Sequence, residues 1–448
     1  LNNLLELKGR FEQASRSIDG FGAPNLPAGQ SVGVSKLQDL LKNLKDLKEY
    51  WRGKNLLPGV IISVHYIKVA AKSNRIQALL GNNSIRPNSS IVGAKFSSDA
   101  SPKHIITHYV SRDILNESIQ RLADSINILN QQFNGEIDCD TIDKINQKKI
   151  SYTHKTIFKT NFLNVIVDAY YVEKFDIFIE NAMFEQDAII TIYKTDVKTI
   201  QLFEKIGINI LSSRIMDETT ILLRPDELEI LKAKAPFLIS MAVSDLSEIT
   251  KDDFQFIDDS IITIDSPKNE PIIGVIDTLF DERVYFSEWV EYSNMLSIDI
   301  PVSESDKEHG TAVSSIIVDG PTFNPYLDDG CGRFRVRHFG VASGKSFNSF
   351  TILRNISEIV AANKDIKVWN LSLGSKLNIN PNFISPEAAI LDKIQFENDV
   401  IFVIAGTNLS FVETITRPIG APADSINSIV VNSVDKDNQP SSYSIRIK

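Results

Sequence analysis

Four apolar runs in the second half of the chain set the tightest limit on its fold: 272–276, 366–371, 400–405 and 429–434. Segments with helical spacing lie between them, at 311–318, 352–362 and 386–396. A short strand that is apolar throughout has to be covered on both faces. Strands that alternate with helices are joined by crossovers and run parallel. Residues 271–448 are therefore expected to form an α/β domain with a doubly wound, mostly parallel sheet. In such sheets the working residues stand at the carboxyl ends of the strands.

The chain has 448 residues, too many for one ordinary domain. Residues 1–55 read as a helical segment. Leu37, Leu40, Leu41, Leu44 and Leu47 make one apolar stripe with a charged opposite face. Packing against its own domain is favoured over a partner helix. Residues 56–180 read as an α+β domain with strands at 60–69, 90–96, 104–110 and 161–171. A short helix is expected at 72–80, and a long one capped by Ser111 and running to about 131. The polar stretch 134–155 reads as a linker. Residues 181–245 show strand, helix, strand, strand, helix, strand, with strands at 188–193, 207–211, 219–223 and 237–243. That βαββαβ order is the ferredoxin-like, split βαβ arrangement, and 60–170 reads as a looser copy of it. Residues 246–270 are acidic and read as a linker.

Hydrophobic residues at 43% and charged residues at 23% exclude a disordered chain. A net charge of −10 argues against nucleic-acid binding. No apolar run is long enough for a membrane span, and no basic-then-apolar signal segment opens the chain, so a cytoplasmic protein is expected. Leu1 in place of Met and the polar finish at Lys448 read as cut ends. Cys139 and Cys331 lie in no metal-ligand spacing and read as unpaired thiols in a reducing compartment.

Candidate chemistry falls at the ends of the apolar runs. Asp277 directly follows 272–276. His309 opens a helical segment in His309-Gly310-Thr311, where Gly310 leaves room for close approach. A histidine is the natural general base near neutral pH, and a buried aspartate would hold its tautomer. Ser372, Leu373 and Gly374 follow the second run. Ala405-Gly406-Thr407-Asn408 follows the third, where a side-chain amide could donate to a developing oxyanion.

In this order the pieces resemble the subtilisin-like serine proteases (subtilases), over about 271–448. The resemblance implies acyl transfer: a serine attacks the peptide carbonyl, His309 takes its proton and Asp277 orients His309. Asn408, or Thr407 with backbone N–H groups, would steady the oxyanion. Ser372, Leu373 and Gly374 would pair with the substrate backbone. Three departures stand out. Leu279 replaces the family's usual glycine after Asp277-Thr278. Thr407 separates Gly406 from Asn408. The family's Gly-Thr-Ser-x-Ala nucleophile motif does not occur, so the nucleophile is expected beyond Lys448 and this fragment is expected to be inactive. A non-catalytic peptide-binding or scaffold protein of the same fold is the alternative.

The resemblance carries further expectations. Subtilases often have a prodomain of split βαβ topology, so 181–245 reads either as such a prodomain or as a permanent accessory domain. Leu57-Pro58-Gly59, Ser63-Val64-His65-Tyr66 and Lys72-Ser73-Asn74-Arg75 resemble bacterial subtilases encoded beside an AAA-type ATPase, which suggests that partner. No cofactor is required for the chemistry, and structural calcium is possible without an assignable site. Gly340 to Ser346 falls one residue short of a P-loop and reads as a turn. His104 and His108 flank a strand and lie too far apart to share an ion. Arg333, Arg335 and Arg337 read as an exposed strand face.

Overall fold

The structure, a computed structural model, describes residues 23–71, 74–82, 84–179, 187–244, 263–323, 330–343, 349–374, 379–380, 382–406 and 419–434. Thr407, Asn408, most of the acidic linker and the end of the P-loop-like stretch lie outside the described residues. The chain forms two units, one within Arg10–Val243 and one over Ser244–Lys448.

The first unit opens with β1 (Ser31–Gly33) and α1 (Val34–Trp51). Helix α1 buries Leu37, Leu40, Leu44, Leu47 and Trp51. The Trp51 ring meets Phe237 edge-on, with centroids 4.6 Å apart, so the stripe is covered by its own unit. Next come β2 (Val60–Tyr66), β3 (Ile91–Phe96), β4 (His104–Val110) and α2 (Arg112–Gln132). Ser111 caps α2, its side chain accepting from the N–H of Ile114 at 3.3 Å. Residues 134–155 carry β5 (Glu136–Asp138) and α3 (Cys139–Asn146), where a linker was expected. Asp138 caps α3 by accepting from the N–H of Thr141 at 2.8 Å, and β5 pairs with β1.

A helix, α4 (Lys159–Tyr171), replaces the strand expected at 161–171. Phe162, Leu163, Val165, Ile166 and Ala169 are buried, and their spacing follows a helical face rather than strict alternation. The helix expected at 72–80 is absent from the described part of that stretch. Asp168 on α4 explains this: its carboxylate accepts from the N–H groups of Gln77, Ala78 and Leu79 at 2.8, 2.8 and 2.9 Å. A side chain takes the bonds that a helix would have used.

After β6 (Val172–Asp176) the four strands form a sheet of order β3-β4-β2-β6. Every neighbouring pair is antiparallel. The pairs β2/β3 and β4/β6 thus interleave, each separated by one strand of the other. The unit continues with β7 (Ala188–Ile192), α5 (Thr199–Ile206), β8 (Thr220–Leu223), α6 (Pro225–Lys234) and β9 (Ile239–Ser244). Three strands pair in the order β8-β7-β9. The strand expected at 207–211 is not formed. Gly207, at φ 87°, ends α5 in the left-handed region, and the N–H of Ile208 bonds back to the Phe203 carbonyl at 2.9 Å. That helix stop uses the backbone a strand would need. One continuous core, from Leu26 to Ala242, runs through the unit.

The second unit contains β10 (Ile272–Thr278), β11 (Val290–Asn294), α7 (Glu308–Phe323), β12 (Arg335–Ala342), α8 (Ser349–Ala362), β13 (Val368–Leu371), α9 (Pro386–Asn398), β14 (Ile401–Ala405) and β15 (Ile429–Val431). The strands form one sheet, β11-β12-β10-β13-β14-β15, with parallel pairing throughout. Val275 and Val336 face a cluster that includes Val313, Ile317 and Val318 of α7. Ile276 points to the opposite face and is equally buried, so β10 is covered on both sides. Arg335 and Arg337 bond to Glu291 of β11, and Arg333 to the wholly buried Asp319. These arginines are paired rather than presented on a bare face. Among the described residues no helix is long and apolar enough to cross a membrane.

Candidate active site

Register aligns the strand ends. Ile276 of β10 lies beside Leu371 of β13, which lies beside Ile404 of β14. The residues just past this level are Asp277, Ser372 and Ala405. The chain leaves β10 for the sheet edge on one side and later fills the other side through β13. Asp277 therefore stands at a switch point, on the carboxyl edge where such sheets place ligands.

Helix α7 brings His309 to Asp277. The His309 Nδ1 lies 2.6 Å from the Asp277 Oδ1. Asp277 has no exposed surface, whereas the His309 side chain is 20% exposed. Gly310 makes this approach possible. A Cβ there would lie 2.7 Å from the carbonyl oxygens of Thr278 and Leu279 and from the His338 ring. The N–H of Gly310 donates to the Thr278 Oγ1 at 2.9 Å. The preceding loop is tied to the same strand end, since the N–H of Leu279 donates to the Asp306 carbonyl at 3.0 Å.

Ser372, Leu373 and Gly374 continue past Leu371, the last paired residue of β13. The Ser372 Oγ accepts from the Asn370 amide at 2.8 Å, and Leu373 is buried. Gly406 follows β14, its N–H donating to the Val431 carbonyl at 2.7 Å. The Asn432 side chain occupies the place a Cβ of residue 406 would take, with Oδ1 only 1.6 Å from it. A side chain at 406 would displace that of Asn432.

Within the first unit, His65 bonds to Asp176 at 2.7 Å, the His104 Nδ1 accepts from the N–H of Ala70 at 3.0 Å, and the His108 Nδ1 lies 3.0 Å from the Ser90 Oγ. Among the described residues no cluster of His, Cys, Asp or Glu could hold a metal. The sequence reading passed over Thr278 and His338. The signal for His338 was present: it sits between Arg337 and Phe339 on a strand whose arginines mark the outward phase, so residues 336 and 338 point inward.

Residues 268–447 match the family model described as the subtilase family, Peptidase S8. This stretch is a subtilase domain. Solved structures with a likeness to the chain include a prenylagaramide maturation protease, PagA, at 18% identity and TM-score 0.28, covering 39% of this chain and 57% of that one. Another is the epidermin leader peptide processing serine protease EpiP of Staphylococcus aureus, at 15% identity and TM-score 0.38, covering 58% and 72%. A third is MycP3 protease of the type VII (ESX-3) secretion system, at 18% and 0.28, covering 39% and 55%. The chain thus spans little more than half the length of the first and third. No curated protein matches it. The subtilase assignment rests on the sequence match over 268–447.

Proposed function

We propose that the subtilase domain belongs to a serine endopeptidase in which Asp277 and His309 are the acid–base pair. The observation that carries this reading is the 2.6 Å contact between a wholly buried carboxylate and a partly exposed imidazole. A carboxylate can only accept, so Nδ1 carries the proton and, in a neutral ring, Nε2 has the lone pair. That nitrogen would take the proton from an attacking serine and later give it to the leaving amine. The serine would come from outside residues 1–448, because no Gly-Thr-Ser-x-Ala motif occurs within them. Asn408, or Thr407 with nearby N–H groups, would serve the oxyanion. Ser372, Leu373 and Gly374 would hold the substrate backbone as an added strand.

Residues 181–245 are proposed as a prodomain-like region or a permanent accessory domain. Their place just upstream of the acidic linker and the subtilase domain supports this. A cytoplasmic setting and an AAA-type ATPase partner belong to the same proposal. A second reading, a non-catalytic peptide-binding scaffold, is favoured by Thr407 between Gly406 and Asn408 and by Leu279 in place of glycine. The gene sequence past the codon for Lys448, followed by fluorophosphonate labelling of its full product, separates them. Labelling of a serine, abolished by His309→Ala, supports the peptidase. An uninterrupted coding sequence with no such serine, or a product that neither labels nor cleaves peptides, supports the scaffold.

A further inference from the structure

His338 is wholly buried, and its ring is hydrogen-bonded at both nitrogens. Nε2 lies 2.8 Å from the carbonyl oxygen of Thr278, and Nδ1 lies 2.9 Å from the Ser314 Oγ. A carbonyl only accepts, so Nε2 carries the hydrogen. The bare Nδ1 then accepts from the Ser314 hydroxyl. Burial pushes this imidazole below its ordinary pKa, in keeping with a neutral ring. The ring is walled by Phe280 and Tyr292, each with its centroid 5.6 Å away.

These contacts join the two elements that carry the reactive pair. Thr278 is the residue after Asp277, and its own N–H donates to the Asp277 Oδ1 at 2.6 Å. Ser314 is on α7, the helix that presents His309. The Thr278 Oγ1 accepts from Gly310, the residue after His309. A strand end and a helix start are thus bound through one ring on a third element, β12. Breaking either bond would leave a buried polar atom without a partner, so the ring tolerates little displacement.

We propose that His338 is a positioning residue for the Asp277–His309 pair, a strut that fixes the distance between the end of β10 and the first turns of α7. Its meaning for catalysis rests on the peptidase reading; the strut itself does not. A histidine that merely filled the core would be replaceable by an apolar ring with no effect at His309.

The test uses the full 448-residue chain, labelled with ¹⁵N at its six histidines. The readouts are the resonance of the His309 Nδ1 proton, its exchange with water, and the His309 titration midpoint. His338→Phe keeps a ring and removes both bonds. His338→Gln can donate to Thr278 and accept from Ser314. Ser314→Ala removes one bond and leaves the ring. In folded His338→Phe the proton should exchange at least about ten-fold faster, equivalent to about 1.4 kcal/mol, with a shifted midpoint. Ser314→Ala should move the same way by less, and His338→Gln should return toward wild type. Unchanged exchange and midpoint in folded His338→Phe overturn the strut, as does a His338→Gln protein no closer to wild type. Should His338→Phe fail to fold, Ser314→Ala decides, with a faster exchange supporting the strut and an unchanged one overturning it. Peptide hydrolysis is read separately on the gene-length protein. A responsive proton with no hydrolysis keeps the strut and defeats the peptidase reading.

Discussion

His309 Nδ1 and Asp277 Oδ1 are 2.6 Å apart, and the two side chains differ in their access to water: the carboxylate has none, while a fifth of the histidine surface is exposed. The carboxylate end of the pair is shut away from water, and the imidazole end reaches the surface. Under the peptidase reading, this is the arrangement a general base needs.

Asp277→Asn keeps the shape of the side chain and removes its charge. An amide can present its NH₂ group to Nδ1, which favours the wrong tautomer. Turnover by the gene-length protein should fall on the order of 10⁴-fold, with KM little changed. Steady-state hydrolysis of a peptide substrate checks this. A fall of less than ten-fold would mean that Asp277 is not the orienting group.

Gly310→Ala tests the close approach. In an open helix this change stabilises by about 1 kcal/mol. Here the added methyl meets two carbonyl oxygens and the His338 ring at 2.7 Å, so a loss of about 1–3 kcal/mol is expected from overpacking. Denaturant unfolding followed by Trp289 and Trp369 fluorescence reports it. A gain in stability would show that α7 is free to shift.

Asp168→Ala leaves three backbone N–H groups without their acceptor. Each orphaned donor costs about 1–3 kcal/mol when buried, so at least about 3 kcal/mol should be lost. Asp168→Asn retains one acceptor oxygen and should lose less. Equilibrium unfolding of both variants gives the comparison, and equal losses would contradict the bonding described at residues 77–79.

His108 and Asp168 titrate with opposite signs. Burial lowers the His108 pKa to about 4, so its contribution is complete above its ordinary 6.5 and is lost as pH falls through about 4. Burial raises the Asp168 pKa to about 7, against the pull of its three N–H bonds. Its contribution is complete below the usual carboxylate value and is lost as pH rises through about 7. The two slopes oppose each other in the wild-type protein. The stability difference between wild type and His108→Asn should therefore grow by about 3 kcal/mol from pH 4 to pH 6.5. Unfolding midpoints of the two proteins across that range measure it, and a difference independent of pH would rule out a buried neutral His108.

The sequence made the second sheet readable because parallel strands buried on both faces carry unbroken apolar runs, as 272–276 of β10 and all of β14 do. Strand β11 escaped notice for the converse reason. It is the edge strand, and Glu291, Ser293 and Asn294 give it no apolar run. The helix α4 was misread because Val165, Ile166 and Val167 suit a strand locally, while burial follows the helical period. The missing strand at 207–211 and the missing helix in the described part of 72–80 share a cause. In both, backbone groups bond to partners that local propensity does not reveal. Motif order placed Asp277 and His309 together on paper, but only the contacts of Gly310, Thr278 and His338 explain how they meet.

The aligned ends of β10, β13, β14 and β15 gather Asp277, Ser372, Gly406 and Asn432 from distant parts of the chain. During synthesis, Asp277 and His309 leave the ribosome well before β15 has been made. A partly synthesised chain therefore has both residues before it has the strand ends that flank them.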